Sequence, residues 1–311
     1  MPLKIAVMHT RIRLGARRTN TKRLLELVNK AVSDNPVDMV VLPAYPVTGP
    51  IVGYYPDQKV PSILKGYAER ISDSEVQLSP TLATLSKLGE ELGVYVVAGP
   101  IVERAGPRLY LTTIVIDHSG RLVGKYRKVA LTRKERESGL TPGKDTFVFE
   151  VARAGVKVGL FVDEDLNYPE VIRSLSYGGA DVIIGTMLPY QSSFIRMRSE
   201  PGSVLTLDNE QVMELLDVRT KENGFSVILV GGAVEGSNGL GYVAFMPTLM
   251  AEPENGVIKD RVRLFDDLDL PVYVEVDRAS AREPKEFLIP ILRSLCRGVQ
   301  ARGGGPSEEE L

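Results

Sequence analysis

Side chains that could serve as nucleophiles or hold a metal are scarce in this chain. Its 311 residues include one thiol, Cys296, and two imidazoles, His9 and His118. No internal disulfide can form, and no Cys/His cluster of the kind that holds zinc can be assembled. Cys296 sits in an apolar, helix-like C-terminal segment and reads as a packed thiol. His118 falls in a turn and reads as solvated. Two Gly-rich stretches invite a phosphate-binding interpretation, and neither fits it. Gly139-Leu-Thr-Pro-Gly-Lys-Asp145 is one residue short before Gly-Lys and ends in Asp where magnesium needs a hydroxyl, so it reads as a turn. Gly236-Ser-Asn-Gly-Leu-Gly241 does not open a helix after a strand, as a dinucleotide site requires. The remaining chemistry rests on charged side chains, whose meaning depends on the elements that hold them.

Those elements follow from periodicity. Leu3 to Met8 is a short apolar strand, and Asn20 starts a helix with Leu24, Leu25, Leu27, Val28, Ala31 and Val32 at helical spacing. Met39 to Leu42 is a buried strand. Ser79 and Pro80 supply an N-cap and a first-turn proline for a helix ending near Gly93, and Val94 to Ala98 is a strand. Tyr110 to Ile116 and Leu122 to Lys128 flank the turn Asp117 to Gly120 and read as a hairpin. Val156 to Val162 resumes the strand-helix alternation, with helices from about Pro169 to Tyr177 and Leu207 to Asn223 and strands Asp181 to Ile184 and Phe225 to Val230. Two such halves predict an α/β fold: a four-layer α-β-β-α sandwich of two mixed β-sheets. Residues 1–296 form one domain in this reading, and the polar, Gly-rich stretch 297–311 forms a mobile tail.

With 43% hydrophobic and 25% charged residues the chain is of the globular class. Its 38 basic and 40 acidic side chains leave a formal charge of -2, which offers no field for nucleic acid or an anionic membrane. No apolar stretch approaches a bilayer span, and Met1 to Met8 lacks the form of a signal peptide, so a cytoplasmic location is expected. Few Asn and Gln beside abundant Arg, Lys and Glu make up a composition of heat-adapted proteins, an expectation that a mesophilic melting temperature would refute.

Five segments, in order and in register from Leu3 to about Glu283, resemble the nitrilase superfamily of carbon-nitrogen hydrolases. Asp38-Met-Val-Val-Leu-Pro-Ala-Tyr-Pro-Val-Thr-Gly49 resembles the strand end that carries the family's catalytic Glu, and Gly124-Lys-Tyr-Arg-Lys-Val-Ala-Leu131 with Thr141-Pro-Gly143 its lysine motif. Val158-Gly-Leu-Phe-Val-Asp-Glu-Asp-Leu-Asn-Tyr-Pro-Glu170 is similar to the nucleophile elbow. Arg219-Thr-Lys-Glu-Asn223 resembles a helix end, and Val272 to Arg282 the closing strand. The resemblance implies a Glu, Lys, Cys triad, and here the three positions hold Ala44, Lys128 and Asp163. It also implies at least a homodimer and no cofactor or metal. A further family acid after the lysine falls on Arg136 in the best register, between Glu135 and Glu137, and is left unassigned.

In the family's chemistry a thiolate attacks, the Glu moves the proton, and the Lys stabilises the developing negative charge. Ala44 cannot move a proton, and an Asp163 carboxylate attacking an amide would form a less stable anhydride. The two substitutions look coupled: removing the Glu would strand the Lys128 charge in a partly desolvated pocket, and Asp163 restores neutrality by pairing with it. Tyr45 and Glu164 are expected to line the same pocket. The chain is thus expected to be a catalytically inactive homologue, a pseudoenzyme that binds a small molecule or assembles with partners. The alternative is a hydrolase of altered mechanism, with Asp163 as general base for a water and Lys128 as electrophile.

Overall fold

The computed structural model describes residues 1–72, 79–189, 197–198, 204–239 and 241–278. The first half runs β1 (Leu3–His9), β2 (Arg11–Arg13), α1 (Arg17–Asp34), β3 (Met39–Val41), α2 (Val60–Tyr67), α3 (Pro80–Leu92), β4 (Tyr95–Ala105), β5 (Arg108–Ile116) and β6 (Leu122–Arg127). A short α4 (Arg133–Glu137) leads into β7 (Val148–Val151), β8 (Val156–Val162), α5 (Pro169–Tyr177) and β9 (Val182–Thr186). There follow β10 (Met197–Arg198), β11 (Thr206–Leu207), α6 (Asn209–Asn223), β12 (Ser226–Val230), β13 (Gly232–Glu235), β14 (Tyr242–Met246), β15 (Leu249–Glu252), β16 (Gly256–Val257) and the closing β17 (Leu270–Val276).

Two six-stranded mixed sheets form, ordered β17-β1-β3-β4-β5-β6 and β16-β15-β12-β9-β8-β7. In the first, β1, β3 and β4 are parallel and antiparallel strands flank them; in the second, β8, β9 and β12 are parallel. The strand period of two explains why each strand reads as nearly continuous apolar sequence. On β1, Leu3, Ile5 and Val7 face the core between the sheets, where they meet Val158, Leu160, Val162, Ile184 and Ile228. Ala6 and Met8 face the other way, into the core beneath α1 and α3. On the second sheet Phe161, Ile183 and Val227 join Ile172, Leu175, Val212 and Leu216 of α5 and α6. The layers are therefore helix, sheet, sheet, helix, the sandwich predicted from the sequence.

Most predicted elements stand where expected, and α3 runs from Pro80 to a left-handed Gly93. The first helix is corrected: it begins at Arg17, one turn before Asn20. Asn20 does not cap it, because its side chain is buried and committed elsewhere. Its Oδ1 accepts from Arg13 N at 2.9 Å, and its Nδ2 donates to the carbonyls of Arg13 and Val47. The closing strand is assigned as far as Val276. Cys296 and the expected 297–311 tail lie outside the described residues. Among the described residues no helix is long and apolar enough to cross a membrane.

Candidate active site

Three strand ends converge at one point. Leu42, Pro43 and Ala44 continue β3, Lys128 follows β6, and Asp163 follows β8. The carboxyl ends of parallel strands are where open α/β sheets place their ligands, because the chain leaves the sheet there and frees side chains from the ladder. Lys128 is held on both sides of its backbone: its N–H donates to Leu111 O, and its carbonyl accepts from Gly143 N, each at 2.8 Å. Gly143 is required at that contact, since a Cβ there would collide with the Arg127 carbonyl oxygen. This gives the Pro-Gly turn after the lysine motif a physical reason.

Asp163 stands at a sharp turn from β8 into a 3-10 helix (Asp163–Asn167), with φ at +44°. Non-glycine residues rarely adopt such a value, and the surroundings hold it there. Asp165 in the same turn takes three donors: Ala130 N at 2.7 Å, Val162 N at 2.9 Å and the Tyr126 hydroxyl at 2.7 Å. It thereby ties the elbow to the lysine loop. From the far side Arg219, at the end of α6, donates to the carbonyls of Leu166 and Asn167 at 3.0 and 3.1 Å. That clamp explains why an arginine stands at this helix end.

The charged centre differs from the expected pairing. Lys128 Nζ lies 3.7 Å from Asp163 Oδ2, so the two do meet, but its shorter ion pair is with Glu135 Oε1 at 2.8 Å. Both members of that pair are fully buried. Glu135 is oriented by a capping box on α4: its Oε2 accepts from Thr132 N at 2.7 Å, while Thr132 Oγ1 accepts from Glu135 N. The notion that Asp163 is needed to neutralise Lys128 is therefore corrected, because Glu135 already does so. The acid of this loop that meets Lys128 is Glu135, and Thr132-Arg-Lys-Glu135 was a legible signal for its placement. A capping box fixes where its third-position carboxylate goes, and that position is one residue before Arg136.

Asp163 is consequently an additional buried carboxylate. The Tyr45 hydroxyl donates to its Oδ2 at 2.9 Å, and Leu188 N donates to its Oδ1 at 3.2 Å. Burial raises its pKa to about 6; Lys128 pulls it down, the Glu135 charge pushes it up, and the Tyr45 bond lowers it. Asp165 is likewise raised to about 6, by burial first and against the pull of Lys128. Tyr45 has φ +51° and is buried, so the residue after Ala44 lays its phenol on the carboxylate. Tyr54 donates to the Pro189 carbonyl, and its own phenol is pushed up, chiefly by burial and also by Asp163. Glu164, the other expected lining residue, is buried in the turn after Asp163. Hydrogen bonds of Tyr45, as expected, and of Leu188 and Glu135 organise the centre. Sequence reasoning missed Leu188 and Tyr54, whose contribution depends on loops packed over the strand ends.

Sandwich and site together define a class, and comparison with known proteins agrees. The chain belongs to the carbon-nitrogen hydrolase family, whose model matches residues 4–259. A nitrilase of Pyrococcus abyssi is 32% identical over 151 residues, 47% of this chain and 54% of that protein, so the match spans about half the relative's length. An (R)-stereoselective amidase of Pseudomonas sp. is 27% identical over 275 residues, 86% of this chain and 85% of the amidase. Among solved structures, Saccharomyces cerevisiae Nit3, a member of branch 10 of the nitrilase superfamily, superposes with a TM-score of 0.71 at 19% identity. That superposition covers 92% of this chain and 94% of Nit3. The nitrilase-superfamily fold and family membership inferred from five sequence segments are thus shown.

Proposed function

We propose that this chain is a non-hydrolytic member of the carbon-nitrogen hydrolase family, whose former active site serves to bind a small molecule. The observation that carries this reading is Asp163 at the elbow, with a hydrogen bond to each oxygen and Ala44 at the position of the proton carrier. A carboxylate adding to an amide carbonyl is a weak nucleophile and is expelled again in preference to the amine, since the alternative is a less stable anhydride. Nothing at Ala44 can take and return a proton. Lys128 with Glu135 and Asp163 carries one positive and two negative charges when all are ionised. The centre therefore suits a neutral amide or an ammonium group, with N–H directed at Asp163 and any carbonyl at Lys128.

One observation favours a second reading. A carboxyl shifted to about 6 and held in a left-handed elbow is poised to accept a proton near neutrality. In that reading Asp163 is a general base for water, and Lys128 polarises the carbonyl.

A hydrolysis screen over amides, nitriles and carbamoyl compounds separates the two. Wild type is assayed beside the Ala44→Glu, Asp163→Cys double variant and Asp163→Asn. Turnover confined to the double variant supports an inactive, otherwise intact site. Wild-type turnover that Asp163→Asn abolishes would overturn the binding reading and establish the second.

A further inference from the structure

A second charged site lies at the far corner of the first sheet, where the period of two gathers residues separated in sequence. Arg127 on β6 stands opposite Thr112 on β5, Lys125 opposite Ile114, and Tyr110 on β5 opposite Glu103 on β4. Alternation therefore puts Arg108, Tyr110, Thr112, Lys125, Arg127 and Glu103 on one face. It is the outer face: Ile114 and Ile116, further along the same side of β5, pack in the core under α3. Beyond that core the sheet face is charged.

Glu103 organises the cluster. It is 1% exposed and takes four donors: Lys125 Nζ at 2.6 Å, Arg127 Nε and Nη2 at 2.8 Å each, and Thr112 Oγ1 at 2.7 Å. Those bonds hold its carboxyl below the usual range despite burial. Arg127 also stacks on Tyr110, with its guanidinium carbon 4.0 Å from the ring centroid. Two cations are thus fixed in place by one saturated carboxylate, and their side-chain freedom is already spent before any ligand arrives.

Two more cations face the same space. The hairpin tip between β4 and β5 carries Arg108, and the segment after α4 brings Lys144. That segment is anchored along the sheet edge by Thr141 N to Leu109 O and Gly143 N to Lys128 O, each at 2.8 Å. Arg108 and Lys144 are exposed, and no hydrogen bond or ion pair among the described residues engages either side chain. Together with Tyr110, Lys125, Arg127 and Asp145 they line a cavity of about 380 Å³. Four cations against Glu103 and Asp145 leave an excess of two positive charges on a chain whose formal charge is -2. Gly139 to Asp145 is still no nucleotide loop; it contributes one cation to a site whose other parts come from the sheet.

We propose that this corner binds a small organic dianion, either a phosphate monoester or a dicarboxylate, at a site separate from the Lys128 centre. The charge excess matches a dianion, and the planar Arg127 suits two-point contact with carboxylate or phosphate oxygens. A cavity of this volume accommodates more than the bare ion.

The test is titration calorimetry on the full chain with inorganic phosphate, glycerol 3-phosphate and succinate, at ionic strength matched with sodium chloride. Wild type is compared with the Arg108→Ala, Lys144→Ala double variant and with Lys22→Ala on α1 as a charge control. Saturable binding of at least one dianion, weakened tenfold or more in the double variant and unchanged in the control, supports the site. The tighter of glycerol 3-phosphate and succinate identifies the source of the dianion. Absence of saturable binding, or equal binding by the double variant, overturns the proposal. Both substituted side chains are exposed, so loss of folding does not confuse the result, and melting curves check it.

Discussion

Replacing Asp163 by Asn gives the sharpest test of the charged centre, because the sign of its effect depends on which interaction dominates. If pairing with Lys128 were the main influence, the Asp163 carboxylate would stabilise the fold and its pKa would be depressed. The opposite holds: burial outweighs Lys128, Glu135 already neutralises that lysine, and the pKa rises from 3.8 to about 6. The folded protein therefore keeps a proton on Asp163 at pH values where the unfolded chain has lost it. Between about pH 4 and pH 6 stability falls as pH rises, and above pH 6 the loss is complete. A shift of about two units at 1.36 kcal/mol each corresponds to about 3 kcal/mol. Asn carries no such charge, can accept from Leu188 N, and can donate to the Tyr45 oxygen. Urea unfolding of wild type and Asp163→Asn at pH 4.5, 5.5, 6.5 and 7.5 measures the difference directly. The variant should gain on wild type with increasing pH, by about 2 kcal/mol between the extremes, since about a third of the total is already lost at pH 4.5, and the gain should level off above pH 6.5. Asp165 titrates in the same window in both proteins and cancels in the difference. Parallel curves for the two proteins, or a variant that loses ground as pH rises, would refute this account and restore Asp163 as the principal partner of Lys128.

Three further substitutions examine the same centre. Glu135→Ala strips Lys128 of its 2.8 Å partner and leaves Asp163 at 3.7 Å, and breaking such a buried pair should cost about 3 to 5 kcal/mol in urea unfolding at pH 7. The milder Glu135→Gln should lower the Asp163 pKa by removing a repulsive charge, whereas Tyr45→Phe should raise it by removing a bond to the carboxylate. Carboxyl carbon chemical shifts followed against pH distinguish the two directions.

Much of this architecture is written in local pattern. Strand and helix periods, the Ser79-Pro80 start, Gly93, and the turn at Asp117 to Gly120 each depend on a few neighbouring residues, so they are legible without tertiary information. The strand ends and the loop that carry Ala44, Lys128 and Asp163 were legible too, because a strand ending in a turn is a local pattern. Glu135 was readable in principle, since its capping box is a local motif, but the adjacent Glu137 and Arg136 obscured the register.

What the sequence could not settle is which charge neutralises which. Arranging Lys128, Glu135, Asp163 and Asp165 around one point joins residues from β6, α4 and β8, and their balance depends on distances of 2.8 against 3.7 Å and on burial. Coulomb and desolvation energies vary steeply with both, and neither is encoded in residue type or spacing. The same holds for the corner cavity: Arg108, Lys125, Arg127 and Lys144 are ordinary surface charges in the sequence, and only the pairing register of β4, β5 and β6 gathers them. Residue pattern alone carries the family and the layered fold. Only the tertiary structure decided that the carboxyl at Asp163 is an extra buried acid, because that outcome depends on how far apart the side chains stand once water has been excluded.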